Sequence, residues 1–455
     1  MDNLFSPSTL ALAISLVLVY NIWRIIKPCN KSKGKKPPQP SYSLPLIGHL
    51  HLLGNKIPLA RIFASLSDKY GPIFQINLGA YPALVISNQE AIKECFTTND
   101  KILASRPKSS HGIYLGYNFA GFGFAPYGPY WTKLRKLAML ELLSPRRIES
   151  LRHVYESEID TLIKDLSLYV KDGKAKVVIS EWLERLTFNI MTKMICGKRY
   201  LEYMQDVDDV EAHGKVLKSM KRVARDLDKV VGRWVEEHIE KSDDIDEKHD
   251  FIDVMLSVIE DDPVSGHSRD TIIKANVMNL MLAGSDTTST TMTWMLAILL
   301  NNMNALKLVQ EEIEHHIGPL LVPHEAKEDC NIQDYYIPKG TRVFVNVWKL
   351  HRDPSIWLEP EKFSPERFIN EKGEIDHDGH HFEYLPFGLG RRACPGSMFA
   401  TQVSLVTLAC LIHSFDFEVS VDEVVDMREG LGITLPKLTP LQVLLTPRLP
   451  YELYQ

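Results

Sequence analysis

The residue types around Cys394 suit a reactive thiolate. The stretch "FGLGRRACPG", residues 387–396, places three glycines and two arginines beside a cysteine with no second thiol nearby. Backbone N–H groups can approach a sulfur closely where side chains are missing, and a helix predicted after Pro395 would direct its positive N-terminal end at that sulfur. A thiolate donates strongly to iron, and haem held by a thiolate favours O–O bond cleavage. Arg392 is placed to neutralise an acidic group of such a ligand.

A second polar group interrupts an otherwise apolar segment. Residues 283–291, "AGSDTTSTT", lie in the middle of a long predicted helix that begins near Ser268. A mid-helix glycine costs about 1 kcal/mol relative to alanine, and a buried Asp286 needs compensation. Two interpretations stand equal. Either the hydroxyl groups bond back to the preceding turn and the carboxylate faces a water-filled notch, or the helix loosens beside a cavity where Asp286 and Thr287 pass protons.

The elements that must position these groups are mostly helical. Helical patterns run from about residue 145 to 200 and from 210 to 240, and the helix after Ser268 is apolar on several faces, as expected for a helix through the middle of a domain. Residues 71–87 alternate apolar and polar positions and predict a small hairpin. The charged run at 241–250 predicts a solvated loop.

Composition narrows the function classes. The chain has 455 residues, is 45% hydrophobic and carries a net charge of -6, which gives no reason to expect nucleic acid as a partner. The cysteines are scattered, with no C-x-x-C pair and no zinc-finger spacing, so a disulfide scaffold and a structural zinc site are disfavoured. Cys95, Cys196 and Cys410 are interpreted as reduced, buried apolar side chains.

The N-terminal segment predicts a membrane anchor. Residues 3–23 carry no formal charge and are long enough to cross a bilayer core of about 30 Å as a helix. Basic residues follow this stretch, which places the rest of the chain in the cytosol, whereas a secretory signal carries its positive charge first. We therefore expect an anchor at 1–26, a basic, proline-rich linker at 27–45 and a catalytic domain at 46–455.

The cysteine loop resembles a known signature. It matches all five fixed positions of the haem-binding motif F-x-x-G-x-R-x-C-x-G of the cytochrome P450 family, at Phe387, Gly390, Arg392, Cys394 and Gly396. Other motifs of the family follow its order along the chain: "WTKLR" at 131–135, the oxygen-activation motif "AGSDTT" at 283–288, and "PERF" at 365–368. The likeness covers nearly the whole chain and is greatest to plant microsomal monooxygenases.

The resemblance implies a fold and a set of roles. The fold would be mainly α with small β-sheets, a triangular helical prism around haem b (iron protoporphyrin IX). Cys394 would be the iron ligand, within a haem-binding loop that includes Phe387 and Gly396. Asp286 and Thr287 would deliver protons to dioxygen. The haem propionates would be met by Trp131, Arg135, His324 and Arg392.

The resemblance also implies an activity and a location. The protein would insert one atom of O₂ into a lipophilic small molecule of plant specialised metabolism, with electrons from an NADPH–cytochrome P450 reductase. It would be a single-pass protein of the endoplasmic reticulum membrane with its catalytic domain in the cytosol. Phe119, Phe122 and Phe124 would line an apolar substrate chamber, or equally anchor their own loop.

Two departures from the family pattern limit this reading. No E-x-x-R pair occurs between residues 288 and 394, so a helix of the family is missing and Arg367 of the "PERF" segment loses its usual partners. The segment after residue 200 is also short for the helices that cover the substrate pocket. A shortened, catalytically impaired and non-enzymatic membrane protein is therefore an alternative.

A further alternative is a haem-thiolate enzyme that rearranges a peroxide. Such chemistry needs neither a reductase nor relayed protons. The intact pair Asp286 and Thr287 argues against it.

Overall fold

The structure is a computed structural model. It describes residues 11, 14–20, 34–54, 56–171, 173–200, 216–240, 250–261, 266–302, 321–364, 367, 382–419 and 424–454. Residues 14–20, within the predicted anchor, are helical and exposed, and most of the rest of that anchor lies outside the described residues. Residues 241–249 of the loop predicted at 241–250 also lie outside the described residues. The same holds for the segment 303–320, near which the E-x-x-R helix would be expected.

Helices make up most of the described structure. Several begin at residues whose side chain accepts a backbone N–H of the first turn, among them Ser144, Asp250 and Ser268. The helices are α1 (Leu59–Tyr70), α2 (Gln89–Phe96), α3 (Asp100–Leu103), α4 (Ser110–Tyr114), α5 (Pro129–Glu141), α6 (Pro145–Ser150), α7 (Arg152–Tyr169), α8 (Ile179–Cys196), α9 (Val216–Glu240), α10 (Phe251–Val258), α11 (Arg269–Asn301), α12 (Val347–Leu350) and α13 (Ser397–Ser414).

Small sheets complete the described fold. The strands are β1 (Ile73–Leu78), β2 (Tyr81–Ile86), β3 (Ala175–Val178), β4 (His324–Glu325), β5 (Cys330–Ile332), β6 (Tyr335–Ile337), β7 (Arg342–Val345), β8 (Phe415–Glu418) and β9 (Gln442–Pro447). They form sheets in the orders β1-β2-β7-β4, β3-β9-β8 and β5-β6. The predicted hairpin is confirmed as β1 and β2, which pair antiparallel. The mainly α architecture with small sheets is confirmed as well.

The helical pattern predicted from 145 to 200 is divided by a strand. Between α7 and α8 the chain extends as β3, which pairs with β9 near the C-terminus through Val177 and Val443. Both side chains are 2% exposed or less. The sequence pattern missed this strand because four residues paired over a long sequence distance leave little local signal.

The end of the predicted linker already belongs to the packed body. The carbonyl of Lys35 accepts the N–H of Tyr336 at 2.9 Å, and the carbonyl of Pro38 accepts the N–H of Gln75 at 2.8 Å. Pro40 is buried and its carbonyl accepts a bond from a buried histidine ring. The chain therefore packs on the sheet from about residue 35, which lies before residue 46.

The long helix α11 runs through the core. Most of its side chains before residue 282 and after residue 287 are buried, but Leu282, Ala283 and Asp286 are exposed. At Gly284 a Cβ would come within 2.5 Å of Met191 Sδ on α8, so a larger residue there requires the methionine side chain to move. A short exposed stretch therefore lies between two buried halves of one helix.

The helix after Cys394 also lies in the core. α13 packs against α11 and α7, and 39% of its most apolar window is buried. It is the one helix of the described residues that is long and apolar enough to cross a membrane. Its contacts with α7 and α11 are those of a core helix.

Candidate active site

The cysteine loop is held by its own backbone. Gly388 and Gly390 have φ values of 68° and 70°, which side chains rarely adopt. At Gly390 a Cβ would also overlap with the carboxylate of Asp100. The N–H of Cys394 then donates to the carbonyl of Phe387 at 2.9 Å and closes the loop. The glycines are therefore required by the path of the chain.

The sulfur of Cys394 lies three residues before the start of α13 and is exposed. The side chain is exposed, yet enough protein surrounds it for burial to raise the pKa of the thiol. The N–H of Gly396 and the charge of Arg135 act in the opposite direction and lower this pKa. The sulfur is therefore reachable from outside although protein surrounds most of it.

Arg392 ties three distant segments to the cysteine loop. Its guanidinium donates to the carbonyls of Ala104 at 2.6 Å, Phe122 at 3.1 Å and Ala125 at 2.5 Å. The same group lies 4.4 Å from the ring centroid of Trp131. The planar fork of an arginine can satisfy several acceptors at once, which a lysine cannot.

Trp131 and Arg135 lie one turn apart on α5 and reach the same place. Arg135 Nη2 donates to the carbonyl of Ala393 at 2.6 Å, next to the cysteine. Trp131 is 4% exposed, and its indole Nε1–H is buried without a hydrogen-bond partner among the described residues. An unpaired buried donor costs about 1–3 kcal/mol. The indole N–H is therefore available to an acceptor from outside the protein.

Arg106 belongs to the same cluster, and the sequence analysis missed it. Its Nη1 donates to the carbonyl of Pro323 at 2.7 Å, while its Nε is buried without a partner among the described residues. Burial, followed by the charge of Arg135, lowers the pKa of Arg106 to about 10. In the sequence Arg106 is marked only by the Pro107 that follows it. Tertiary folding alone brings it to the cysteine loop, so no local pattern could have identified it.

The cluster carries positive charge without an acid. Burial, then the charges of Arg106 and Arg135, lowers the pKa of Arg392 to about 8. Burial and the same arginine cluster lower the pKa of His324 to about 3, and its Nδ1 donates to the carbonyl of Leu103 at 2.9 Å. None of these arginines forms an ion pair with a described residue, whereas the neighbouring Arg391 pairs with Asp100.

The predicted proton-delivery pair lies on the exposed stretch of α11. Asp286 is exposed, which both interpretations of this stretch allow, because each has the carboxylate facing water or a cavity. The hydroxyl of Thr287 donates to the carbonyl of Ala283, one turn earlier. On α8, burial and then the charge of Asp286 raise the pKa of Glu184. The charge of Asp286 therefore acts on a second carboxyl group here, and no local sequence pattern indicates Glu184.

The three phenylalanines before α5 act as anchors in the described loop. Phe122 is 8% exposed and belongs to the main core. Phe119 packs over Gly112 and Phe124 over Gly116, where an added Cβ would overlap with the rings. These contacts favour the anchoring interpretation of the two that the sequence left open.

Arg367 donates to carbonyl groups of its own segment. Its guanidinium donates to the carbonyls of Ser364 at 3.0 Å, Lys362 at 2.9 Å and Glu359 at 3.3 Å. All are within eight residues of Arg367 in sequence. The sequence predicted that Arg367 lacks its usual ionic partners, but it did not predict that these carbonyl groups accept from the guanidinium instead.

Comparison with known proteins decides the family. The family model "Cytochrome P450" matches residues 37–211, 211–319 and 315–443. The chain belongs to the cytochrome P450 family. It is 68% identical over 523 residues to Cytochrome P450 CYP82J17 of Trigonella foenum-graecum, and 43% identical over 498 residues to Vinorine hydroxylase of Rauvolfia serpentina, with all of both chains covered in each case. It is 41% identical over 515 residues to Xanthotoxin 5-hydroxylase CYP82C4 of Arabidopsis thaliana, covering 96% of this P450 and 98% of that protein.

These matches make the protein a plant P450 of the CYP82 group, a monooxygenase family that binds haem. They also locate its shortfalls. The 523 aligned positions exceed the 455 residues of this chain, so the Trigonella relative has residues without a counterpart here. The family model breaks at residue 211 and at 315–319, the two places where the sequence is short for the family.

Proposed function

We propose that this chain, despite its shortfalls, is a haem-thiolate monooxygenase with Cys394 as the iron ligand. The observation that carries the proposal is the acid-free cationic cluster beside the cysteine. Arg106, Arg135 and Arg392 converge there without an ion pair to any described residue. Burying like charges together is unfavourable unless an anion compensates them.

The residues fit a haem with its two propionates. Trp131 Nε1–H and Arg106 Nε–H are buried donors without partners among the described residues, and a carboxylate accepts such donors. His324 Nδ1 donates to the carbonyl of Leu103, so a propionate can accept from this ring only through Nε2–H of the protonated imidazole. Burial and the arginine charges lower the pKa of His324 to about 3, and the negative charge of a propionate would act in the opposite direction. We propose these residues and Arg392 as the propionate cradle, with Phe387 and Gly396 shaping the loop around the sulfur.

The protein's own groups divide the remaining work. Haem supplies the redox chemistry of dioxygen when it is bound. Gly396 N–H and Arg135 favour the anionic form of the Cys394 sulfur, against burial. Asp286, on the exposed stretch of α11, and the half-buried Thr287 beside it hold water and pass protons toward the reacting oxygen. The buried halves of α11 keep bulk water away on either side.

The wider reaction follows from the family. We infer a lipophilic small molecule of plant specialised metabolism as substrate, since relatives are named for hydroxylation of vinorine and xanthotoxin. Electrons would come from an NADPH–cytochrome P450 reductase. Membership of a plant P450 group suggests membrane association, and we propose residues 1–26 as a single-pass anchor in the endoplasmic reticulum.

The impaired, non-enzymatic chain is the second candidate. The breaks in the family match and the absent E-x-x-R pair favour it. The peroxide isomerase is a weaker third, because the exposed Asp286 beside Thr287 suits proton delivery, which that chemistry does not use.

One series of measurements separates the three. The full-length protein, expressed with ample haem, should show the red-shifted absorption of a thiolate-ligated ferrous–CO complex, and Cys394→Ala should abolish it. NADPH oxidation with added reductase then requires the monooxygenase. If only apoprotein is obtained, the impaired, non-enzymatic chain is the one candidate that remains. A haem-thiolate spectrum without NADPH oxidation but with turnover of a peroxide would favour the isomerase.

The anchor has its own test. Deleting residues 1–26 should move the protein from the membrane fraction to the soluble fraction, with the ferrous–CO spectrum unchanged. A protein that remains in the membrane fraction after the deletion would contradict the proposed single anchor.

A further inference from the structure

Two asparagines in the first half of α11 bind the loop that precedes α5. Asn276 Oδ1 accepts the N–H of Phe122 at 3.1 Å, and Asn279 Oδ1 accepts the N–H of Gly123 at 2.9 Å. Each carboxamide also donates through Nδ2 to a carbonyl one turn earlier in α11, at 2.7 and 2.8 Å. A backbone N–H only donates and a carbonyl only accepts, so both amides have one consistent orientation.

These asparagines are unusual occupants of a buried helix. Asn276 is 2% exposed and Asn279 is 8% exposed. Asparagine is a poor helix former, and bonding back to the preceding turn gives a helix no added stability. A buried amide is tolerated when all its groups are paired, and here the pairing is completed by the loop. The reason for both residues therefore lies outside α11.

The loop approaches α11 too closely for side chains. A Cβ at Gly123 would overlap with Asn279 Oδ1, and a Cβ at Gly121 would overlap with Asn279 Nδ2. Neither glycine has a left-handed φ, so close approach is what requires them. The loop backbone is thus clamped directly against the asparagine.

The other side of the same loop holds Arg392. The carbonyls of Phe122 and Ala125 accept from its Nη1 and Nη2, at 3.1 and 2.5 Å. Phe122 is therefore bonded on both sides, through its N–H to Asn276 and through its carbonyl to Arg392. Arg392 stands two residues before Cys394, so a short hydrogen-bonded path joins α11 to the cysteine loop.

We propose that Asn276 and Asn279 are positioning residues of the haem-thiolate site, which fix the loop 121–125 where its carbonyls orient Arg392 beside Cys394. The inference rests on the proposed function for its consequence, because Arg392 is assigned to the propionate cradle. Loosening the loop would let the guanidinium leave its place, and haem would be retained less firmly.

The clamp between Asn279 and Gly123 offers a double-mutant test. Gly123→Ala adds a Cβ whose neighbours within 4 Å are atoms of Asn279 alone. Asn279→Ala removes those atoms, so the double variant should be less damaged than the sum of the single variants. Gly128→Ala, with nothing within 4 Å of the added Cβ, is the control for the loop. Asn302→Ala, which loses the same bond to the preceding turn of α11, is the control for the helix.

Three readouts are taken on the full-length protein: amide hydrogen exchange over residues 120–125 and 390–394, the rate of haem transfer to apomyoglobin, and the ferrous–CO spectrum. Asn279→Ala and Gly123→Ala should each speed exchange in both segments and haem loss about fivefold, the factor for one hydrogen bond. Both controls should stay within about twofold of the wild type on the same scale.

Two results would overturn the inference. One is faster exchange over 120–125 with unchanged exchange over 390–394 and unchanged haem loss, because the asparagines would then hold the loop alone. The other is a double variant whose changes in exchange rate and haem loss equal the combined changes of Asn279→Ala and Gly123→Ala, because the two residues would then act independently. If the wild-type protein takes up no haem, the proposed function fails, and exchange over 390–394 in the apoprotein decides the positioning role by itself.

Discussion

Arg392 and Arg367 each donate to three backbone carbonyls, but they brace the molecule differently. The acceptors of Arg392, in Ala104, Phe122 and Ala125, are 267 residues or more away along the chain. The acceptors of Arg367 are within eight residues. The guanidinium of Arg392 connects the cysteine loop to segments far away in sequence, and that of Arg367 stabilises a local turn.

The difference shows where the shortened chain is weak. The side of the site that holds Cys394, Trp131 and the arginines is joined by hydrogen bonds between residues far apart in sequence. The guanidinium of Arg367 bonds only to its own segment among the described residues, and no E-x-x-R pair occurs between residues 288 and 394 to supply other partners. A local bond adds little to tertiary stability, because the same few residues can also form it in a partly unfolded chain.

The largest expected effect is that of Arg392→Ala. It leaves three carbonyls without a donor, and with about 1–3 kcal/mol for each such group this outweighs the relief of repulsion from Arg106 and Arg135. We expect about 3 kcal/mol lower free energy of unfolding by chemical denaturation, with haem lost at least tenfold faster. Arg392→Lys should restore little, since an ammonium group cannot reach the three acceptors together. If Arg392→Ala is as stable as the wild type, the long-range hydrogen bonds of Arg392 do not brace the cysteine loop.

Trp131→Phe should separate haem retention from stability. The indole N–H has no partner among the described residues, so the apoprotein should lose less than about 1 kcal/mol of unfolding free energy. Haem transfer to apomyoglobin should nevertheless speed up about tenfold, the value of one hydrogen bond to a charged acceptor. Equal haem retention in the two proteins would contradict the assignment of Trp131 to a propionate.

His238→Gln tests a link of intermediate range. His238 Nε2 lies 2.8 Å from Asp250 Oδ2, joining α9 to the start of α10. Burial lowers the pKa of His238, but the bond to Asp250 and its charge outweigh burial and raise the pKa above the usual 6.5. The stabilisation is therefore fully present below pH 6.5 and is lost as pH rises through the folded-state pKa.

The expected size is about 1–2 kcal/mol, between those of the two arginines. Denaturant midpoints measured from pH 5.5 to 8.5 should fall with rising pH in the wild type more steeply than in the glutamine variant. Parallel pH profiles would show that the histidine titrates without effect on folding.

Arg367→Ala should have the smallest effect. Its bonds to Glu359 and Lys362 are exposed, so water can replace the guanidinium, and we expect a loss of about 1 kcal/mol or less with normal haem retention. A loss as large as that of Arg392→Ala would mean that Arg367 braces the core through residues outside the described part of the chain.

The sequence determined the chemistry of individual positions. Cys394, the glycines of its loop and the acid–alcohol pair on α11 were recognised by residue type and fixed spacing, because a loop and one helix turn are local structures. The hairpin of β1 and β2 and the long helix through the core were predictable for the same reason. The cap of α11 at Ser268 is another local signal.

The tertiary structure alone decided how these positions are held. Arg106 joins the cluster across more than 200 residues through Pro323, Glu184 meets Asp286 between two helices, and Asn279 clamps a loop 156 residues earlier. No local pattern marks these partners, since each contact depends on where the whole chain returns. Residue type thus set what the site can do, and long-range packing set which charges, donors and carbonyls face one another there.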